Sequence, residues 1–156
     1  MYLTYPKEIP EVTEALMVKP FYRSRVVHYK DGHEFNDKTI FTDPQFFDFF
    51  PFKIIEGSTQ KFRETRKNIG LSKEFAERIF KGDKAVGNAV KIDGADYIVS
   101  CVYEIPKNSH QEPDLLMQFS RPFEVHWGNH NNEMFCRISK GADLEFVKEK
   151  MTQILI

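Results

Sequence analysis

The order of apolar and polar residues predicts a short helix and then a β-hairpin near the start of the chain. The helix is expected to begin at Pro10 and to end before Pro20, with these residues in its first turns: Glu11, Val12, Ala15 and Leu16. Residues 22–29 are rich in side chains that favour strands, and Asp31-Gly32 supplies a tight turn at positive φ. The return strand is expected around residues 38–41.

A second hairpin is predicted where residues 90–92 and 97–103 flank an Asp93-Gly94 turn. In the longer strand, alternate residues are expected on one face: Tyr97, Val99, Cys101 and Tyr103. The opposite face is also largely apolar: Ile98, Ser100 and Val102. Apolar residues on both faces are typical of a strand in the middle of a sheet.

An aromatic segment between the two hairpins has the densest local pattern. Asp43 stands at an N-cap position and Pro44 at the first position of a helix, which Pro51 would end. Three aromatic residues share one helical stripe: Phe46, Phe49 and Phe50. Because phenylalanine is normally buried, we expect this stripe in the hydrophobic core rather than along a ligand groove.

Two longer helices follow from the pattern. Ser72 caps the first, Gly82 ends it, and its apolar side has four members: Phe75, Ala76, Ile79 and Phe80. Asp143 caps the last helix of the chain, which has its own apolar stripe: Phe146, Val147, Met151 and Ile154.

The remaining segments complete an α+β fold of short helices on a mixed or antiparallel sheet built from hairpins. A strand is predicted at residues 134–139, and polar connections at residues 106–113 and 121–132. The second connection contains the only tryptophan, Trp127. With 156 residues, the chain is sized for one domain, or for two small lobes that share a core.

The composition excludes several classes of function. The chain contains 15 phenylalanines and is 41% hydrophobic, which is typical of a globular protein. Its 22 basic and 23 acidic residues nearly cancel, and neither forms a long run, so nucleic acid is not an expected partner. No apolar stretch approaches the roughly 20 residues that cross a bilayer, and residues 1–10 lack the layout of a signal peptide. A cytosolic protein and a piece of a longer protein both remain open.

The two cysteines, Cys101 and Cys136, lie in apolar segments with strand character. Buried free thiols are the favoured interpretation, since cysteine packs well as a small apolar residue. A disulfide would require neighbouring strands, with Cα atoms within about 7 Å.

No nucleotide site is predicted. Gly82 and Gly87 have the spacing of a phosphate-binding loop, but Asn88 and Ala89 stand where its lysine and hydroxyl residue belong. Without the lysine, the charge of the phosphates has no partner. The two glycines are therefore interpreted as a helix stop and a turn.

The histidines give only weak metal and catalytic patterns. His126 and His130 are four residues apart, with Glu124 and Glu133 nearby, but Gly128 disfavours the helix that would aim both imidazoles at one ion. Isolated histidines are expected to be solvated or hydrogen-bonded: His28, His33 and His110. Adjacency of a serine and a histidine in a loop does not indicate a nucleophile with its base. No catalytic residue, metal or cofactor is predicted.

Ordered landmarks along the chain resemble the MacB-like periplasmic core domains of MacB/FtsX-type ABC transporter permeases. Residues 42–57 are similar to the family's aromatic segment, 71–80 to its capped helix, and 85–90 to its turn into a strand. The most specific similarity covers residues 97–110. The residues that carry the resemblance, all with expected structural roles, are Asp43, Pro44, Phe46, Phe47, Phe50, Gly57, Ser72, Gly87, Pro106, Asn108, Ser109 and His110.

Three features depart from the family pattern. Cys101 stands where the family has glycine, Glu112-Pro113-Asp114 replaces a more apolar approach to aspartate, and residues 121–132 form a short stretch. The departures imply altered packing and a porter-like lobe whose inserted lobe, at about residues 107–132, is reduced. Residues 1–156 are expected to form one core domain.

The resemblance also implies a location and a role. In this family the domain lies outside the cytoplasmic membrane, between the first and second of four transmembrane helices, and transmits ATP-driven motion that moves peptides, lipoproteins or signals. The expected partners are the chain's own transmembrane helices, the dimer mate of the permease, a cytoplasmic ABC ATPase and an extracytoplasmic adaptor or substrate protein. The domain itself is expected to be non-catalytic.

Two alternatives stay open at this point. One is a stand-alone extracytoplasmic module that binds a ligand or a peptide with its aromatic residues. The other is a cytosolic enzyme that uses His126 and His130 with a metal.

Overall fold

The computed structural model describes residues 4–120 and 131–155. Their helices and strands follow in this order: α1 (Tyr5–Glu8), β1 (Val12–Phe21), β2 (Arg25–Tyr29), β3 (Gly32–Asn36), β4 (Thr39–Thr42), α2 (Phe46–Phe49), β5 (Lys53–Gly57), α3 (Thr59–Glu64), β6 (Asn68–Ser72), α4 (Lys73–Phe80), β7 (Ala89–Ile92), β8 (Ala95–Glu104), β9 (Leu115–Gln118), β10 (Glu133–Ile138) and α5 (Leu144–Leu155). The predicted α+β class is confirmed. The predicted inserted lobe includes residues 121–130, which lie outside the described residues.

The strands form one mixed sheet. Its order is β10-β1-β4-β9-β6-β8-β7-β2-β3, and β5 pairs with β8 outside this row. Two pairs are parallel, β4 with β9 and β6 with β8, and the others are antiparallel. Strand β8 is central, as predicted: β6 pairs along one side of it, while β7 and β5 pair with its two ends on the other.

Ser100 is an extra residue in β8. In the pairing with β6, Ile69 lies opposite Val99 and Gly70 lies opposite Cys101, so Ser100 has no partner in the register. Such a bulge reverses the alternation of side chains beyond it.

The prediction that Tyr97, Val99, Cys101 and Tyr103 share one face of β8 is therefore wrong beyond the bulge. Three of its residues pack on the α4 side of the sheet: Tyr97, Val99 and Val102. Cys101 and Tyr103 pack instead in a second cluster around the aromatic segment.

The core has three parts. The α4 cluster packs Phe75, Ala76, Ile79 and Phe80 of α4 against β2, β6, β7, β8 and β9. The aromatic cluster gathers Phe46, Phe47, Phe52, Phe62 and Tyr103. The terminal cluster joins α1, β1 and α5 through Tyr5, Ile9, Val12 and Val147, with Met151 and Ile154 packed against it.

The predicted helix after Pro10 is wrong, because residues 12–21 form β1. This segment pairs with β10 and β4, and the hydrogen bonds of those two ladders stabilise the extended backbone. Pro20 is tolerated because β10 ends opposite Val18, so β4 is the only described strand that pairs with β1 at the proline.

The first hairpin exists, but its return strand differs from the prediction. β2 pairs with β3 across a turn at Lys30 and Asp31, and the positive φ of 51° belongs to Lys30. The segment predicted as the return strand is β4, which pairs with β1 and β9 instead. Both predicted segments are strands, but β4 pairs with strands that are distant from it in sequence.

The two longer helices and the second hairpin are confirmed. Ser72 accepts a hydrogen bond from the Phe75 N–H at 3.2 Å and caps α4. Asp93 and Gly94 both have positive φ between β7 and β8. Asp143 accepts from the first turn of α5, but Phe146 is 43% exposed and does not belong to the buried stripe.

The cysteines are free. Cys101 is on β8 and Cys136 on β10, and four strands lie between them in the sheet. The two strands are not neighbours, which excludes the disulfide between them.

Candidate functional site

The aromatic segment builds the core on one side of the sheet. Phe46, Phe47 and Phe52 are buried, whereas Phe49 and Phe50 are partly buried. The ring of Phe47 makes edge-on contacts with Phe46, Phe52, Phe62 and Tyr103, at centroid distances of 5.5, 6.4, 5.4 and 5.7 Å. The expected burial of the stripe is confirmed for Phe46, but Phe47, outside the predicted stripe, is equally central.

Asp43 does not cap α2, which contradicts the prediction. Its carboxylate accepts a hydrogen bond from the backbone N–H of Met17 at 3.0 Å, and Gln45 occupies the N-cap. Pro44 precedes the helix by two residues, in the turn between β4 and α2. Asp43 therefore joins the aromatic segment to β1 rather than starting a helix.

Gly57 and Gly87 are required where the backbone turns. Gly57 ends β5 with a φ of 74°, in contact with Ser100 of the bulge. The N–H of Gly87, whose φ is 89°, donates to the carbonyl of Val99 at 2.9 Å. Both glycines therefore lie along the same side of β8, where β5 and β7 pair with its two ends.

Ser72 connects α4 to the loop that follows β8. Its hydroxyl donates to the carboxylate of Asp114 at 2.6 Å, and its N–H donates to the Asp114 carbonyl at 2.9 Å. Beside it, the Tyr103 hydroxyl donates to the carbonyl of Pro113 at 2.7 Å. Burial raises the pKa of Tyr103 well above its usual value. Pro113 and Asp114, in the segment that departs from the family pattern, are thus hydrogen-bonded to Tyr103 and Ser72.

The loop landmark at residues 106–110 is mostly exposed. The carbonyl of Pro106 accepts from the Ser109 N–H at 3.0 Å, and the Ser109 hydroxyl donates to the carbonyl of Gln111 at 2.7 Å. Asn108 and His110 are exposed. These contacts shape the loop and do not assemble a catalytic pair.

The landmark residues consequently do not meet in one site. They lie in the aromatic cluster, along the β5 and β7 side of β8, at the start of α4 and in the loop before β9. Several of them make contacts with the backbone: Asp43, Gly57, Ser72, Gly87 and Ser109.

Cys101 fills space left by a glycine on the next strand. A Cβ atom at Gly70 would lie 3.3 Å from the Cys101 sulfur and 3.0 Å from a ring carbon of Tyr103. Burial raises the pKa of the Cys101 thiol to about 12, so the group stays protonated and unreactive at neutral pH.

A cavity that the sequence did not reveal lies between the β2–β3 hairpin and α4. It has a volume of about 250 Å³, and its floor is apolar, with Val27, Ile79 and Phe80. Charged side chains surround the opening: Lys30, Glu34, Arg78, Lys81 and Asp83. Its two walls are distant in sequence, and no local pattern brings them together.

Asp83 and Lys30 form the best-defined ion pair at this opening. The Lys30 ammonium donates to the Asp83 carboxylate at 2.7 Å, and the Tyr29 hydroxyl donates to the same carboxylate at 3.2 Å. The hydrogen bond raises the pKa of Lys30 and lowers the pKa of Asp83. Arg78 and Lys81 make no ion pair within the described residues, so the opening presents two further cations beside Glu34.

The metal hypothesis gains no support from the described part of the chain. No group of three or more potential ligands occurs among residues 4–120 and 131–155, and His126, His130 and Glu124 lie outside these ranges. Glu133 accepts a hydrogen bond from the Gln111 amide at 2.7 Å. His28 and His33, predicted to be isolated, are cross-strand partners with ring centroids 5.7 Å apart.

The fold is that of the extracytoplasmic domains of transporter permeases. A domain of a protein assigned as a permease from Porphyromonas gingivalis superposes with a TM-score of 0.82 at 19% identity, over 99% of this chain and 68% of that one. The periplasmic region of MacB from Actinobacillus actinomycetemcomitans gives 0.74 at 14% identity, over 99% and 70%. The extracellular domain of the noncanonic ABC-type transporter YknZ from Gram-positive bacteria gives 0.69 at 14% identity, over 96% and 77%. None of the curated proteins matches this chain significantly in sequence.

The chain belongs to the family of MacB-like periplasmic core domains, whose family model matches residues 3–154. It is thus a periplasmic domain of a MacB-like ABC transporter permease, in a family of inner-membrane transporters whose periplasmic domain is not itself catalytic. No helix among residues 4–120 and 131–155 has the length and apolar character needed to span a membrane.

Proposed function

We propose that this domain is a stiff module that carries ATP-driven motion from the membrane into the periplasm. Nucleotide is hydrolysed by a cytoplasmic ABC ATPase, the permease acts as a dimer, and the domain moves peptides, lipoproteins or signals on the far side. Residues 1–156 act as one body in this proposal.

The terminal cluster is the observation that carries the proposal. Tyr5 and Ile9, near the start of the described chain, are both 1% exposed and pack with Val147 of α5, which is also 1% exposed. The first and last helices of the described chain therefore lie at the same edge of the sheet, beside β1 and β10. This arrangement suits a domain that two transmembrane helices hold from one side.

Stiffness is the second requirement, and the sheet supplies it. Force applied at the β10–β1 edge reaches the β2–β3 hairpin through a continuous row of hydrogen-bonded strands. Close-packed apolar clusters resist compression, so they transmit a displacement rather than absorb it. Motion driven at the terminal helices is then delivered at the far edge of the sheet.

Distance measurements in the full-length permease, reconstituted with its ATPase in nanodiscs, test the proposal. Spin labels at Tyr22→Cys, where the side chain is 80% exposed, report the distance between the two copies. A label pair at Phe35→Cys and Leu144→Cys in one copy reports the internal length of the domain. Cys136→Ser removes the more accessible native thiol.

We expect ATP to shift the distance between copies while the internal distance stays constant. An ATPase variant that cannot hydrolyse nucleotide is the control for cycling. If the distance between copies is the same in all nucleotide states, the domain does not move and the proposal fails. If the internal distance changes as much as the external one, the domain is not a stiff module.

A stand-alone binding module is the second candidate, and the cavity between the hairpin and α4 favours it. The native coding sequence on both sides of this chain separates the two functions. Apolar stretches of roughly 20 residues on each side support the permease function.

A further inference from the structure

Strand β3 forms an open edge of the sheet. Its only neighbour among the described strands is β2, and their pairing has no bulge. Tyr29 and Gly32 pair directly across the two-residue turn, so they exchange backbone hydrogen bonds. The next hydrogen-bonded pair along the hairpin is Val27 with Glu34, because such pairs alternate with non-bonded ones.

The backbone groups of His33 and Phe35 consequently point away from β2. Among its five residues β3 has no proline and no lysine, two residue types that commonly block strand addition. The two side chains share one face of the sheet, with ring centroids 5.6 Å apart, and Phe35 is 60% exposed. An extended chain could therefore add to the sheet here through hydrogen bonds to these two residues.

The cavity between the hairpin and α4 lies beside the same edge, on the face opposite to the His33 and Phe35 side chains. Gly32 and Glu34 belong to this second face, because side chains alternate along a strand. In an added antiparallel strand, the residue opposite Glu34 would direct its side chain toward the apolar floor of the cavity, formed by Ile79 and Phe80. An acidic residue is disfavoured at this position by Glu34 itself.

The charges at the rim of the cavity favour an acidic residue at the next position on that face. The residue opposite Gly32 meets no side chain from β3. Gly32 pairs with Tyr29, whose ring contacts Phe80 at 4.4 Å, so this position lies toward the end of α4, where Lys81 lines the cavity. Lys81 has no ion pair within the described residues, so a carboxylate at this position gains a partner. Arg78 adds a second cation to the same rim.

We propose that the β3 edge binds an extended segment of a partner protein by strand addition, and that it selects an apolar residue followed two positions later by an acidic one. The apolar side chain fills the cavity and the carboxylate contacts Lys81. This inference goes beyond the transmission of motion and does not depend on it, because the edge can bind a partner whether or not the domain moves.

The probe is a short fluorescent peptide with a Leu-Thr-Glu centre flanked by threonines, added to the 156-residue chain. We expect saturable binding by fluorescence anisotropy. Binding should slow amide hydrogen exchange at His33 and Phe35, whose outward N–H groups pair with none of the described strands, by at least about tenfold. Two control peptides should bind at least about tenfold more weakly. One is N-methylated at the threonine between the leucine and the glutamate, and the other has lysine in place of glutamate.

Two variants of the protein test the two halves of the proposal. Phe35→Pro removes an outward N–H that the hairpin does not use, and should abolish binding while circular dichroism stays native. Lys81→Glu is a surface change at the end of α4 that leaves the hairpin untouched. Lys81→Glu should weaken binding of the glutamate peptide and strengthen binding of the lysine peptide. The test therefore remains decisive if Phe35→Pro does not fold.

Absence of saturable binding overturns the proposal, as does binding that the N-methylated peptide reproduces. Sedimentation of the chain measures its oligomeric state, and the result could also contradict the proposal. If the chain forms dimers in which His33 and Phe35 are protected and the peptide is excluded, the edge pairs with a second copy and the proposal is wrong.

Discussion

Gly57 lies directly against the bulge of β8, and a Cβ atom on it would be 2.0 Å from the carbonyl oxygen of Ser100. The same carbonyl accepts a hydrogen bond from the Ser58 N–H at 3.2 Å. The Ser100 hydroxyl donates to the Ile69 carbonyl at 2.8 Å on the other side of the strand. The bulge is therefore fixed by β5 and β6 together, and it divides the side chains of β8 between the α4 and aromatic clusters.

Gly57→Ala should destabilise the domain by about 3 kcal/mol or more, because it adds a clash with the backbone to the strain of a positive φ. Gly82→Ala is the matched control: its φ is 98°, and a Cβ atom there meets nothing within 4 Å. That change should cost about 1 kcal/mol from the backbone conformation alone. Urea denaturation measures both, and equal losses would contradict the close contact.

Phe46→Ala should cost about 3–5 kcal/mol, since the ring is fully buried and removing it leaves a cavity. Phe50→Ala should cost roughly half as much, because this ring is only partly buried although it stacks on Phe46 at 4.9 Å. Phe146→Ala, at a position 43% exposed on α5, should change stability by less than about 0.5 kcal/mol. Thermal melting of the three variants tests this order, and a larger loss for Phe50 than for Phe46 would reverse our view of the cluster.

Ser72→Ala should cost about 2 kcal/mol, because α4 loses its cap and the Asp114 carboxylate loses a donor. Ser58→Ala is the control, since Ser58 caps α3 by accepting from the Lys61 N–H and has no carboxylate partner among the described residues. It should cost about 0.5–1 kcal/mol. Similar losses in the two variants would mean that the contact with Asp114 contributes nothing.

The two cysteines should differ in reactivity. Cys136 is half-buried and Cys101 fully buried, and burial raises the pKa of both thiols, that of Cys101 to about 12. At pH 8 a thiol reagent should modify Cys136 slowly and leave Cys101 unmodified until the chain unfolds. Mass spectrometry of native and urea-unfolded samples identifies the labelled residue, and rapid native labelling of Cys101 would contradict its burial.

The raised pKa of Cys101 also predicts a pH dependence of stability. The folded state keeps the proton up to about pH 12, whereas an unfolded thiol loses it near its ordinary pKa of 9.0. The unfolded state therefore binds fewer protons between these values, and stability falls as pH rises through this window, by up to about 1.4 kcal/mol per pH unit. Comparison of wild type with Cys101→Ala by urea denaturation between pH 8 and 11 isolates this contribution, and parallel curves would refute it.

Elements with a local cause were predicted well. Ser72, Lys81 and Gly82 begin and end α4 through a side-chain cap and a left-handed turn, which involve only neighbouring residues. The Asp93-Gly94 turn likewise fixes the β7–β8 hairpin. The order of landmarks also identified the family, which the match over residues 3–154 confirms.

Elements with a distant cause were missed. Pro10 and Pro20 suggested a helix between them, but residues 12–21 form a strand because β10, more than 100 residues away, pairs with it. Nothing near Ser100 in sequence indicates a bulge, since the extra residue is defined only by the register with β6. The cavity depends in the same way on two segments, residues 27–34 and 78–83, that become neighbours only in the folded sheet.

The sequence by itself determined the class of fold, the capped helices, the second hairpin and the family, because caps, turns and periodicity act between residues a few positions apart. Only the tertiary structure decided the strand order, the bulge at Ser100, the meeting of α1 with α5 and the open edge at β3. These features arise when backbone hydrogen bonds and apolar surfaces are satisfied across the whole sheet. Many pairings of ten short strands are locally acceptable, and the shared core selects one of them.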